Sequence, residues 1–146
     1  GIKGAEAIAM CIYMARIGKA KEEIKEYIYD NYYPILDYLD YEELLETYEF
    51  DVSCQDSVPQ AIYCFLIGKD FNDVIKTAVS IGGDSDTIAA MTGSIAEAYY
   101  GIPSSIKEQA MTYLDAELLE ILTNFENLLI YDTTNKPEDG DKAIGS

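Results

Sequence analysis

The stretch SIGGDSDTIAAMTGS, Ser80 to Ser94, decides how the rest of the chain is read. Gly82 and Gly83 close one helical pattern and permit backbone conformations forbidden to other residues. Asp84, Asp86 and Thr87 follow within four residues, and then an apolar run begins. The run predicts a helix from Asp86 to Tyr100, closed by Gly101. Ala89, Gly93, Ala96 and Gly101 mark places where neighbouring helices can approach, so this helix is expected to be central and buried.

Two readings of GGDSDT stand side by side. Asp, Ser and Thr dominate helix N-caps, and carboxylates there are favoured by the helix dipole. Against that, two carboxylates within three residues repel each other unless a cation or hydrogen bonds compensate. Two carboxylates and a hydroxyl also match the oxygen donors that Mg²⁺ or Mn²⁺ takes. If the helix is buried, charges at its first turn need partners, which favours half of a metal site. Two competing motifs fail. An EF-hand counted from Asp84 would require Asp or Asn, Gly and Glu where Ile88, Ala89 and Ile95 stand. A Walker phosphate loop would require Lys before the Ser/Thr.

Outward from this stretch, only helical patterns appear. Ile8, Cys11, Ile12 and Ala15 recur at three-four spacing, and Gly18 ends that helix. Lys21 to Tyr32 puts Ile24, Tyr27 and Ile28 on one face, and Pro34 breaks it. One or two short helices are expected between Ile35 and Tyr48, and a loop from Phe50 to Ser57. Pro59 sits in the first turn of a helix reaching Gly68, with Ser57 as its cap. Asp70 or Asn72 caps the next helix, Ser104 and Ser105 open another, and a last one runs from about Asp115 to Ile130. The polar stretch from Thr133 to Ser146 reads as a frayed tail after a domain spanning 1–132. With no alternating strand pattern, the fold class is all-α.

Composition narrows the function. At 146 residues and 49% hydrophobic content, the chain can bury a core. Ten basic against 27 acidic residues give a net charge of −17, which disfavours nucleic acid and anionic membranes as partners. With no His, a His-based zinc site or a His-activated Ser or Cys nucleophile cannot come from this chain. Cys11, Cys54 and Cys64 sit among apolar residues without CxxC spacing, as reduced cysteines of a cytoplasmic protein do. No run approaches 18 apolar residues, so no membrane-spanning helix is expected. The 13 tyrosines, clustered at Tyr32, Tyr33, Tyr38, Tyr41 and Tyr48, read as residues at the core edge or facing a partner.

SCQDSVPQAIYCFL (Ser53 to Leu66) followed by AVSIGGDSDTIAAMTGSIAEAYYGIP (Ala78 to Pro103) resembles the ADP-ribosylglycohydrolase family, as does the opening GIKGAEAIAMCIYMARIGKAKEEIKEYI. The resemblance implies an orthogonal all-α bundle with a binuclear Mg²⁺ or Mn²⁺ centre that releases ADP-ribose from a modified protein or small molecule. Carried over, Asp84, Asp86 and Thr87 are the metal ligands, with Asp86 bridging. It also implies substrate contacts at Gly82, Gly83 and Ser85, and at Val52 and Ser57 before the SVP sequence, where Ser57 reads equally as a helix cap. The family pattern places a GDxxG-like segment, further Thr and Asp ligands and a catalytic acid in an N-terminal half. None of these motifs occurs here, so no catalytic residue is assigned. The resemblance therefore makes this chain the C-terminal portion of a larger all-helical domain, inactive without an N-terminal segment or a second chain. The alternative is an acidic helical interaction module that works without catalysis.

Overall fold

In the computed structural model, residues 1–47 and 57–134 are described, with side chains for 1–46 and 57–130. Among them are eight α-helices, one 3-10 turn and no strands, so the all-α expectation holds. The helices are α1 (Ile2–Arg16), α2 (Lys21–Asn31), α3 (Tyr41–Thr47) and α4 (Ser57–Ile67), followed by α5 (Phe71–Ser80), α6 (Ser85–Tyr100), α7 (Ser104–Met111) and α8 (Ala116–Thr134). The 3-10 turn, Pro34–Tyr38, follows α2. The expected loop before Ser57, with Val52 and Cys54, lies outside the described residues.

The chain divides into two compact units, Gly1–Pro103 and Ser104–Ser146. In the first, α6 packs against α1, α4 and α5. Its fully buried side chains, Ile88, Thr92, Ile95 and Ala96, form a stripe at helical spacing, while Asp86, Ala90, Ser94 and Glu97 face out. The helix is central but amphipathic, and the expectation of burial holds for one face alone. Gly93 faces α5, since a Cβ there would stand 3.2 Å from Ile75 Cδ1. Ala61, Cys64, Ala78, Ile81 and Ile88 form a core shared by α4, α5 and α6. On that seam the Thr92 hydroxyl, fully buried, donates to the carbonyl of Ala61 at 2.9 Å.

Local signals work as physical chemistry requires. Gly18, at φ 83°, donates to Ala15 O while Lys19 N–H reaches Met14 O, a Schellman ending for α1. Asp70 Oδ1 accepts the Asp73 N–H at 2.8 Å and caps α5. Cys11 and Cys64 are free and buried, and burial pushes both thiols up to about 12. Ser57 is the first described residue of α4.

One tie across the first unit has no local signature. Lys21, at the start of α2, donates through Nζ to Phe65 O (2.8 Å) and Gly68 O (2.5 Å), the carbonyls ending α4. The ammonium also lies 4.8 Å from the Phe65 ring centre, 5.1 Å from Tyr100 and 5.7 Å from Tyr99. Tyr100 donates its hydroxyl to the same Gly68 carbonyl. A cation at a helix C-terminus is favoured by the dipole, and the three rings add cation–π attraction. Burial lowers the Lys21 pKa, opposed by the charges of Glu22 and Asp73.

In the second unit, Asp115 Oδ1 caps α8 through the Leu118 N–H, and Lys107 pairs with Glu126 between α7 and α8. Leu118, Ile121, Phe125 and Leu128 form an exposed row along α8.

Lys21→Met keeps the aliphatic stem but removes a charged donor from two carbonyls, which should lower stability by about 2 kcal/mol. Urea unfolding of both proteins measures this, and a loss below about 0.5 kcal/mol would mean the contact adds little beyond a surface charge pair.

Candidate functional site

The turn that delivers the acid pair is built from two successive left-handed residues. Gly82 has φ 86° and Gly83 φ 58°, conformations costly to any residue with a Cβ. They reverse the chain between Ile81, buried in the shared core, and Asp84, the N-cap residue of α6.

Among the described residues four aspartates precede helices, and one behaves differently. Asp40, Asp70 and Asp115 each accept the backbone N–H three residues on, as N-caps do. Asp84 makes no such bond to a backbone N–H. Its Oδ1 instead accepts the Thr87 hydroxyl at 2.8 Å, and the Thr87 N–H goes to Asp86 Oδ1 at 3.0 Å. Thr87 thus binds one carboxylate through its side chain and the other through its backbone. The simple capping reading of Asp84 fails, because the carboxylate faces the hydroxyl.

This arrangement draws Asp84, Asp86 and Thr87 together. Asp84 is half-buried, whereas Asp86 and Thr87 are exposed, so burial does not itself demand a counter-ion. The sequence argument failed because the buried stripe of α6 begins only at Ile88, beyond the exposed Asp86 and Thr87. The Asp86 carboxyl is held below the usual carboxylate range, first by hydrogen bonding with the Asp84 carboxyl, then by the N–H groups of Thr87 and of Asp86 itself. Asp86 therefore favours its charged form.

The donor set suits a hard divalent cation. A hydroxyl has one hydrogen and two lone pairs, so Thr87 can donate to Asp84 and still offer oxygen to a cation. Mg²⁺ is commonly held by one or two carboxylates with water or phosphate completing its shell. No group of three or more His, Cys, Asp or Glu converges among the described residues.

Of the expected substrate contacts, Gly82, Gly83 and Ser85 adjoin the acid pair in the turn and first helical residue. Ser57 stands at the start of α4, and Val52 lies outside the described residues. Gln60, one turn into α4, carries a buried Oε1 with no hydrogen-bond partner. Nothing in its apolar surroundings in sequence marks it. A groove of about 850 Å³ also lies beside α1, lined by Gly4, Ile8 and Ile12 together with Tyr33, Val58 and Met91. Its lining residues come from four separate parts of the chain, so no single stretch of sequence announces it.

Comparison with known proteins bears on this geometry. The family model for ADP-ribosylglycohydrolases matches residues 1–137. The chain is 38% identical over 92 residues to human ADP-ribosylhydrolase ARH3, covering 53% of this chain and 25% of the relative. It is 35% identical over 107 residues to an uncharacterised protein of Archaeoglobus fulgidus, covering 64% of this chain and 35% of the relative. The zebrafish (Danio rerio) ADP-ribosylhydrolase ARH3 is 36% identical over 74 residues, covering 43% and 20%. The matched chain thus spans between a fifth and about a third of these relatives. No solved structure matches.

The lowered Asp86 pKa sets a sign for pH dependence. A carboxyl whose folded pKa is depressed stabilises the fold above its unfolded value near 4, and that contribution is lost as pH falls through the folded pKa. The stability difference between the wild type and Asp86→Asn should therefore shrink as pH drops below about 4. Urea midpoints between pH 7 and 2.5 measure it, alongside an Asp86 titration by NMR. A midpoint at or above the ordinary Asp value would show that these hydrogen bonds do not favour the charged form of Asp86.

Proposed function

Since the chain belongs to the ADP-ribosylglycohydrolase family, we propose that it forms part of a metal-dependent glycohydrolase that removes ADP-ribose from a modified protein or small molecule. The observation that carries this reading is the departure of Asp84 from ordinary capping. Its carboxylate meets the Thr87 hydroxyl beside Asp86, in a sequence that matches the family. Asp84, Asp86 and Thr87 would hold Mg²⁺ or Mn²⁺, in a centre that is binuclear once the remaining ligands are supplied.

When bound, a divalent cation supplies positive charge that orients ribose hydroxyls and offsets charge developing as the C1 bond breaks. The chain's own residues have three tasks. Asp84 and Asp86 present carboxyl oxygens side by side, with the Asp86 carboxyl held below the usual carboxylate range. Thr87 fixes the spacing of the two carboxylates. Gly82 and Gly83 leave that side of the turn without side chains, so that ADP-ribose can approach the backbone closely. No residue here is assigned as general acid or base. That group, with the remaining ligands, belongs to the rest of the family's polypeptide, so this chain by itself binds cation weakly and hydrolyses nothing. The two free buried thiols suit a reducing, cytoplasmic setting.

Mn²⁺ titration followed by NMR line broadening tests the ligand set, because it registers weak binding. The amides of residues 84–87 should broaden first, with an apparent Kd on the order of 1 mM, the range of weak oxygen-ligand sites. In the Asp84→Asn/Asp86→Asn protein that selective broadening should vanish. Equal broadening in both proteins, or none near residue 86 in the wild type, would remove the acid pair from the metal site and favour an interaction module.

A further inference from the structure

A hydroxyl inside a helix has a ready acceptor in the carbonyl four residues back. Ser80, Ser94 and Thr123 take it, donating to Lys76 O at 2.7 Å and to Ala90 O and Leu119 O at 2.8 Å. Thr92, on the same helix as Ser94, does not. Its fully buried hydroxyl donates across the seam to Ala61 O, within α4, at 2.9 Å. A local partner would have satisfied the group, so its use between two helices calls for a reason.

The seam around it supplies one. The helices α4 and α6 run in the same direction: Ala61 meets Thr92, Phe65 packs edge-on against Tyr99 with ring centres 5.4 Å apart, and Gly68 O accepts from Tyr100. Ile88, Ile95, Ala61 and Ala96 fill the same region with apolar surface. Burial of such surface has no directional preference, whereas a hydrogen bond weakens steeply when its donor turns away. The turn before α6 adds little restraint of its own. Gly82 is at φ 86°, and a Cβ there would meet nothing within 4 Å. The directions taken by Asp84, Asp86 and Thr87 therefore follow from how α6 is rotated against α4. With side chains reaching about 5 to 6 Å from a helix axis, a rotation of about 20° moves a carboxylate by about 2 Å. Ligating groups have to be held within about 0.5 Å.

We infer that Thr92 is a positioning residue for the acid pair. Its hydroxyl, anchored on Ala61 O, fixes the rotation of α6 and so sets where Asp84, Asp86 and Thr87 present their oxygens to a divalent cation. Thr92 touches neither the cation nor the substrate. The inference rests on the reading of those three residues as metal ligands, and it adds the element that aims them.

Four forms of the 146-residue chain test it. Thr92→Val keeps the shape of the side chain and removes the donor, while Thr92→Ser keeps the donor and removes a buried methyl. Ile24→Val lowers stability in the core of α2 and leaves the seam intact. Circular dichroism and urea midpoints establish that each is folded and how stable it is. In the Mn²⁺ titration, Thr92→Val should raise the apparent Kd at residues 84–87 about fivefold, the equivalent of one weakened polar contact. Thr92→Ser and Ile24→Val should stay within about twofold of the wild type, whatever their urea midpoints. Residual dipolar couplings of the α6 amides, measured without metal, should show α6 turned against α4 by about 20° in Thr92→Val alone. Unchanged couplings in Thr92→Val, or Mn²⁺ affinities that follow the urea midpoints, would overturn the positioning role. A wild type that shows no broadening near residue 86 would remove the metal reading instead, and the couplings would still decide whether Thr92 sets the rotation of α6.

Discussion

The hydroxyl of Thr92, donated to the carbonyl of Ala61, is a buried polar link in an otherwise apolar seam between α4 and α6. Ile88 and Ile95, one turn to either side, are fully buried, so α6 can neither slide along α4 nor rotate without uncovering them or stranding a buried hydroxyl. That constraint sets where the first turn of α6 emerges. The acid pair projects because the buried stripe begins at Ile88, two residues after Asp86. The left-handed turn at Gly82 and Gly83 then needs only to bring the chain from α5 to a fixed starting point. Lys21 works in the same direction from the opposite end, tying α2 to the carbonyls that close α4.

Features written in short stretches of sequence were legible. Gly18 announced the end of α1, Asp70 the start of α5, and the periodicity from Ile88 onward the helix that organises the first unit. The candidate ligands Asp84, Asp86 and Thr87 were legible for the same reason, being adjacent. What remained hidden depends on residues far apart in the chain. Lys21 finds its acceptors 44 and 47 residues away, and the groove combines α1 with Tyr33, Val58 and Met91. The burial expected of the acid pair failed for a related reason. Periodicity identifies which face of a helix is apolar but not how far each end extends beyond its neighbours.

The exceptional bond at Asp84 also changes what the first turn of α6 can do. An aspartate that caps a helix has one oxygen committed to a backbone N–H, and that donor is fixed by the helix. At Asp84 the donor is a side-chain hydroxyl, which has lone pairs of its own and can rotate. The backbone N–H that a cap would have taken goes to Asp86 instead, which lowers the pKa of that carboxyl. Two neighbouring carboxyl groups are thereby linked by one threonine at an exposed first turn.

Such an arrangement is incomplete as chemistry. Two carboxylates and a hydroxyl leave most of a divalent cation's shell to other groups, and water can fill it only at a low affinity. Further fixed ligands would gain most by arriving on a rigid element, since each then loses little freedom on coordination.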